Sequence, residues 1–283
     1  MLFYIDKGKM IPFDLHREWN NSVAFIIGGG PSLKQINPKH LNGKNRIVMA
    51  QNNTYPFVRP DIWLGMDDPI CYNRELFWEP FIKIMRAGYE KRYIIDDDKN
   101  KIPYHANYNQ YFASLKKPKD PIEIFKNLKR KSNFVWHSNT FAISLHLAMW
   151  MGCKSIFLFG CDFSTKKQAY YDGTTLDKRF LIWNNNLYAN LDKYLRWFSH
   201  TSPKYGVTVY SCSKDSMINE YVKYIPYLEV IYNLEKDLPY GGKKLHAVEG
   251  EEWLIENGLH PTKKKKDLTK SKKKFQMVKA SDN

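Results

Sequence analysis

An α/β fold, a mostly parallel sheet with helices on both faces, is the class this 283-residue chain predicts. Three observations carry it. A continuous apolar run at 23–27, strands at 46–50 and 155–159 that are apolar after Arg46 and Ser155, and the apolar middle of 60–68 give the pattern of parallel strands buried on both faces. Segments able to form helices alternate with these runs. Each run ends in a loop of small or polar residues, and in such sheets ligands sit beyond the C-terminal strand ends.

Taken in order, residues 1–21 read as a lead-in to a domain spanning 22–225. The strand at 23–27 is followed by Gly28, Gly29, Gly30, Pro31 and Ser32, and 31–41 reads as a short helix opened by Pro31 at its first position. The strand at 46–50 ends at Gln51, Asn52 and Asn53. A third strand lies within 60–68 and ends in Asp67 and Asp68. Residues 71–87 read as a helix and 92–95 as a further strand closed by Asp96, Asp97 and Asp98. The stretch 99–133, rich in Lys, Asn, Pro and Tyr and without a long period, reads as an insertion or lid. Residues 138–151 give the clearest helix, with Ser138 able to cap it and Gly152 able to end it. The strand at 155–159 runs into Gly160, Cys161 and Asp162. A long aromatic helix over 179–198, a strand at 207–210 and a loop at 211–215 complete the domain. Residues 226–261 read as a mixed C-terminal extension, and 262–283 as a disordered Lys-rich tail.

Composition narrows the function classes. With 43% hydrophobic and 15% aromatic residues, the chain can bury a large core. No apolar run approaches the roughly 20 residues of a membrane span. The first ten residues hold Asp6, Lys7 and Lys9 rather than a signal-type apolar segment, so a cytoplasmic location is expected. The four cysteines stand far apart with no C-x-x-C pair, which speaks against structural zinc and disulfides; Cys153 and Cys161, flanking a strand, are expected to be buried thiols. The net charge is +15, but the tail holds nine lysines against two aspartates and so carries close to half of it. Such a tail can stay solvated, or can touch nucleic acid or an acidic membrane surface.

The loops carry the chemistry. A strand, a glycine turn and a helix start make a phosphate site over Gly28, Gly29, Gly30, Pro31 and Ser32. It is not a P-loop, because no Gly-Lys-Ser/Thr follows, and Leu33 stands where a dinucleotide fingerprint has its third glycine. Asp67 and Asp68 can share Mg²⁺, or one of them can act as a base. Asp162 can orient a ribose hydroxyl or a metal-bound water. Asn52, Asn53 and Ser213 are read as nucleotide contacts. Tyr170, in a polar loop with Tyr171, Asp172 and Gly173, can stabilise a leaving phosphate. His137, just before a helix start that should face the mouth, is the histidine best placed for acid–base work.

Three blocks together resemble a known superfamily. Ile26-Ile27-Gly28-Gly29-Gly30-Pro31-Ser32-Leu33 is similar to the opening G-x-G-P-S-L of the family typified by the archaeal 6-hydroxymethylpterin diphosphokinase MptE. The segment from Pro60 to Asp68 resembles its P-D-x-x-x-x-x-D strand, and that from Gly152 to Asp162 its G-x-x-x-I-x-L-x-G-x-D block. The first and third blocks also resemble bacterial CMP-sialic-acid sialyltransferases, in which a tyrosine stabilises the phosphate about where Tyr170 falls. Their catalytic histidine has no counterpart in residues 171–190. The resemblance implies a Rossmann-like core and a nucleotide-dependent transferase. The first expectation is transfer of a pyrophosphoryl or other phosphorus-containing group from ATP with Mg²⁺ to an alcohol. The second is a glycosyltransferase with a nucleotide-sugar donor and a glycan acceptor. The third is a non-enzymatic basic protein that binds nucleic acid or membrane through its tail.

Overall fold

Val23–Ile27 is buried along its whole length, and so are Arg46–Gln51 and Ile62–Gly65, so the strands at the centre are covered on both faces. They belong to a computed structural model that describes residues 1–95, 99–107, 109–129, 132–136, 139–164, 170–174 and 177–236. Its strands are β1 (Leu2–Asp6), β2 (Lys9–Phe13), β3 (Val23–Ile27), β4 (Arg46–Gln51), β5 (Ile62–Gly65), β6 (Ile82–Arg86), β7 (Tyr93–Ile95), β8 (Lys101–Pro103), β9 (Gln110–Ala113), β10 (Leu115–Lys116), β11 (Phe134–Val135), β12 (Ser155–Phe159), β13 (Thr208–Ser211) and β14 (Lys223–Tyr224). Its helices are α1 (Glu123–Lys126), α2 (Thr140–Trp150), α3 (Lys178–Thr201) and α4 (Tyr227–Glu235). Residues Met1–Tyr224 form one unit and Ile225–Asn283 a second, in which the described part is α4 and the residues beside it.

Ten strands form the main sheet of the first unit, in the order β14-β13-β12-β3-β4-β5-β6-β9-β1-β2. Pairing is parallel from β14 to β9, and antiparallel from β9 through β1 to β2. This is a Rossmann-like, mostly parallel α/β sheet. The chain moves outward from β3 through β4, β5 and β6 on one side, and from β12 through β13 and β14 on the other. The boundary between β3 and β12 is therefore the topological switch point, where such sheets open a crevice.

The two faces are covered in different ways. On one face Ala24, Ile26, Ile47, Met49, Ile62, Leu64, Ile156 and Leu158 pack with α2 and with Leu191, Leu195 and Phe198 of α3. All eleven residues of α2 are buried, as a helix that is apolar all round requires. Its polar groups are paired: Trp150 Nε1 donates to Lys129 O at 3.1 Å, and His146 Nδ1 accepts the Val135 N–H at 3.0 Å. The other face is covered by short 3-10 turns, whose Tyr72, Leu76, Phe77 and Tyr104 pack on Phe3, Ala50, Trp63, Met85 and Phe112.

Several expectations change. The helix read over 31–41 is two 3-10 turns, Pro31–Gln35 and Pro38–His40, because Pro38 cannot donate to a continued helix and Asn37 caps the second turn. The helix read over 71–87 is a 3-10 turn at Arg74–Trp78 followed by β6, with Pro80 between them. Residues 99–133, read as an insertion, hold β9, which is in the main sheet between β6 and β1. The lead-in 1–21 supplies β1 and β2 at the sheet edge. The strand near 93–95 pairs with β8 outside the main sheet. Asn139, not Ser138, caps α2, through Oδ1 and the Ala142 N–H at 2.7 Å. Asp96, Asp97, Asp98, Ser138 and the tail 262–283 lie outside the described residues.

The turns after β3 and β12 are clasped together. The Gly28 N–H donates to Phe159 O and the Gly30 N–H to Gly160 O, each at 2.7 Å. The Asp162 carboxylate accepts the Ser32 N–H at 3.0 Å. A Cβ on Gly30 would overlap the Asp162 carboxylate and stand 2.6 Å from Gly160 O, so only glycine permits this approach. Gly30→Ala is expected to lower the unfolding free energy by at least about 2 kcal/mol. Urea denaturation of the full chain measures it, and a loss within experimental error would mean the clasp is dispensable.

Candidate functional site

The switch point opens into a cleft. Four strand ends reach it: Gly28 to Pro31 after β3, Gln51 and Asn52 at the end of β4, Asp67 beyond β5, and Gly160 to Ser164 after β12. The first turn of α2 and one face of α3 form walls, and Tyr170 stands at the glycine turn. The gathering of these loops in one mouth agrees with the rule for parallel sheets.

The glycine turn is the floor, and the amides of Gly28, Gly30 and Ser32 are already in use. Ser32, at the start of its 3-10 turn, gives its N–H to Asp162, the chain's own carboxylate, where an exogenous anion was expected. Its hydroxyl donates to Ser213 Oγ at 2.9 Å. Ser213 is fully buried and does not line the cleft. Gly29 is kept bare by Tyr170: a Cβ there would meet its ring at 3.2 Å. The turn that carries Tyr170 is fastened by the Tyr171 N–H to Gly29 O at 3.0 Å, and the Tyr171 hydroxyl donates to Asn53 O at 3.2 Å.

The acidic pair separates. Asp67 lines the cleft, and its backbone N–H is held by Tyr72 Oη at 3.0 Å. Loss of hydration holds its carboxyl above the ordinary aspartate range. Asp68 instead caps the turn Pro69–Cys71 by accepting the Ile70 N–H at 3.3 Å, and it is ion-paired with Arg92. It does not line the cleft. Because Asp68 is spent on the cap and on Arg92, the pair does not fit a shared Mg²⁺ seat. Among the described residues no group of three or more His, Cys, Asp and Glu side chains is arranged to hold a metal ion.

Asn52 has a left-handed backbone, φ 51°, a conformation asparagine adopts more readily than most residues. Its side-chain oxygen accepts from the hydroxyls of Tyr72 and Thr140, each at 3.4 Å. Asn53 is exposed, donates to Cys71 O at 3.4 Å and is not part of the lining. Phe163 also has positive φ, 49°, which for a bulky residue costs about 1–3 kcal/mol and is a mark of functional sites. The strain turns its ring towards Phe141 and Tyr188, with centroids 5.1 and 6.0 Å away. His137 lies outside the described residues.

Sequence reading missed the helical walls. Gln51 is buried, donates to Ser144 Oγ at 2.9 Å and so braces the first turns of α2. Tyr188 has its pKa pushed up to about 12, first by burial and then by neighbouring Tyr170, Cys161 and Asp162. Asn184 lines the cleft although its residue is only 7% exposed. The signal was present: Leu181, Asn184, Leu187, Tyr188, Leu191, Leu195 and Phe198 follow the 3.6-residue period, and Asn184 is the polar break in that stripe. Trp183, beside it, also lines the cleft and is 59% exposed, so it stands at the mouth.

Cys153, Cys161 and Cys212 are buried free thiols and Cys71 is an exposed one. Among the described residues no helix is long and apolar enough to cross a membrane.

No protein-family model matches the chain, and no curated protein sequence does. Among solved structures it is similar to the sialyltransferase CST-II in complex with a trisaccharide acceptor and CMP, with 17% identity and a TM-score of 0.42 over 72% of this chain and 86% of that one. It is similar to the sialyltransferase CstII from Campylobacter jejuni in complex with cytidine-5'-monophosphate, with 16% identity and a TM-score of 0.42 over 73% and 86%. It is also similar to the monofunctional alpha-2,3-sialyltransferase Cst-I from Campylobacter jejuni, with 14% identity and a TM-score of 0.41 over 72% and 80%.

Proposed function

We propose that the cleft binds a nucleotide-sugar and that the chain is a glycosyltransferase, passing the sugar to an acceptor hydroxyl. The observation that supports this most is the separation of the two aspartates. A phosphorus-group transfer from ATP drew its metal seat from Asp67 and Asp68 acting together, and Asp68 is engaged with Ile70 and Arg92. Of the carboxylates in the cleft, Asp162 is engaged by the Ser32 N–H and Asp67 is not so engaged; of its phenols, Tyr170 stands at the glycine turn and Tyr188 on α3.

Asp67 and Tyr170 suit glycosyl transfer. The acceptor oxygen forms a bond to the anomeric carbon while the bond from that carbon to the donor phosphate breaks. The hydroxyl proton passes to Asp67, whose raised pKa makes it a stronger base than an ordinary aspartate. The departing phosphate keeps the electron pair, and the Tyr170 hydroxyl donates a hydrogen bond to it.

Donor class is tested first, by thermal shift of the full chain with CMP, UMP and ATP, each with and without Mg²⁺. Stabilisation by CMP or UMP without metal is expected. A response confined to ATP with Mg²⁺ would restore the phosphorus-group reading, and no response to any nucleotide would reject both.

Asp67→Asn is expected to lower kcat/KM by about 10²- to 10⁴-fold. It also has a pH signature. Because the folded-state pKa is raised, Asp67 favours the fold below the ordinary value of about 4, and that contribution is lost as pH rises through the folded value. The asparagine variant therefore gains Tm over the wild type at neutral pH, and the gain disappears on acidification below about pH 4. Wild-type turnover in this variant would remove Asp67 from the mechanism. Tyr170→Phe is expected to lower kcat by about 10²- to 10³-fold with little change in donor affinity; the reverse pattern would make Tyr170 a binding residue only.

A further inference from the structure

The carboxamides of the cleft differ in one respect. Gln51 donates to Ser144, Asn52 accepts from Tyr72 and Thr140, and Asn139 caps α2. Each has structural work. Asn184 lines the same cleft, is only 7% exposed, and hydrogen-bonds to none of the described residues. Its amide is not among the buried polar atoms that lack a partner, so it opens to the cleft with its donor and acceptor free for a ligand. Its place on α3 makes the omission more telling, because the period there would seat an apolar residue beside Leu181, Leu187 and Leu191.

We infer that Asn184 reads the base of the bound nucleotide, its carboxamide pairing with the ring edge. This rests on the cleft being a nucleotide site. A carboxamide presents a donor and an acceptor side by side in one plane, and the edge of a pyrimidine or purine presents the complementary pair. The surroundings fit a flat ring: Leu187 and Leu191 lie on the same helix face, and Tyr188 and Phe163 bring aromatic rings to the same cleft. A sugar acceptor would bring several hydroxyls against these apolar walls and leave them unpaired, so the base is the better occupant of this corner. Asn184 is thus a specificity-determining contact, distinct from the Asp67 and Tyr170 that act on the reacting atoms.

Titration calorimetry on the full chain tests this, with CMP, UMP and ribose 5-phosphate as probes and with Asn184→Leu and Asn184→Asp as variants. Both variants are expected to lose roughly 10- to 100-fold in affinity for the nucleotides and to bind ribose 5-phosphate as the wild type does. Asn184→Leu is also expected to match or exceed the wild-type Tm without ligand, since it continues the apolar stripe of Leu187, Leu191 and Leu195 and breaks no hydrogen bond to a described residue; a purely structural asparagine would show the opposite. Asn184→Asp keeps the shape and tests the pairing if the leucine variant does not fold. Unchanged nucleotide affinity, with a raised KM for the acceptor, would overturn the base assignment. Equal losses for nucleotide and ribose 5-phosphate would overturn it as well. Absence of nucleotide binding to the wild type is a separate failure, that of the nucleotide site itself.

Discussion

The carboxylate of Asp162 on the amide of Ser32 is the contact on which the site depends. It joins the turn after β12 to the turn after β3, and those strands are neighbours only because the chain changes direction between them. Two further bonds, from Gly28 and Gly30, continue the parallel ladder past the strand ends. A side chain at Gly28 would stand 2.8 Å from Gly160 O, and one at Gly30 would overlap the carboxylate itself. The glycines are therefore required by the approach of two backbones. A ligand adds no further reason for them.

That alters what the glycine turn can do. A free strand–turn–helix junction offers its amides to a phosphate. Here the chain has supplied its own anion, and the turn that follows is a 3-10 turn of five residues with little dipole to offer. Selectivity for the donor has to come from the walls instead: the end of β4, the first turn of α2 and the inner face of α3. The clasp fixes a floor on which Tyr170 rests, and the Tyr171–Gly29 bond holds that tyrosine to the same turn.

The sequence was most legible where burial dictates pattern. The strand at 23–27 is apolar throughout, and that at 155–159 is apolar after Ser155, because both faces are covered, and the structure bounds them at the same residues. It was least legible where a short element takes its identity from its neighbours. The strand β9 is four residues long and begins with a buried glutamine, so no apolar run marks it; its place is set by pairing with β6 and β1. Residues 71–87 contain enough apolar residues for a helix, yet Pro80 divides them, and Ile82 to Met85 then join the sheet. The loops of the cleft were legible as a set, because strand direction alone collects them. The partners of Asp68 and Asp162 were not, since Arg92 and Ser32 lie 24 and 130 residues away in sequence.

Four local features of different kinds meet in the cleft. Asn52 and Phe163 hold left-handed backbones, Asp67 is short of water, and Asn184 is an amide without a partner, and all four line the same cleft. Elsewhere the described interior meets some buried demands and leaves others: Lys83 is fully buried but donates to the carbonyls of Glu79 and Phe81, and His146 has a partner for each ring nitrogen, whereas Gln110 Oε1, Ser202 Oγ and Asn219 Oδ1 are buried with no hydrogen-bond partner. The physical relief available to Asn184, Asp67 and Phe163 is the same: a flat, polar-edged molecule that brings hydrogen bonds into the cleft and displaces water from it. On that argument the strained residues of the cleft and its chemistry share one floor, which the clasp between Asp162 and Ser32 holds in place.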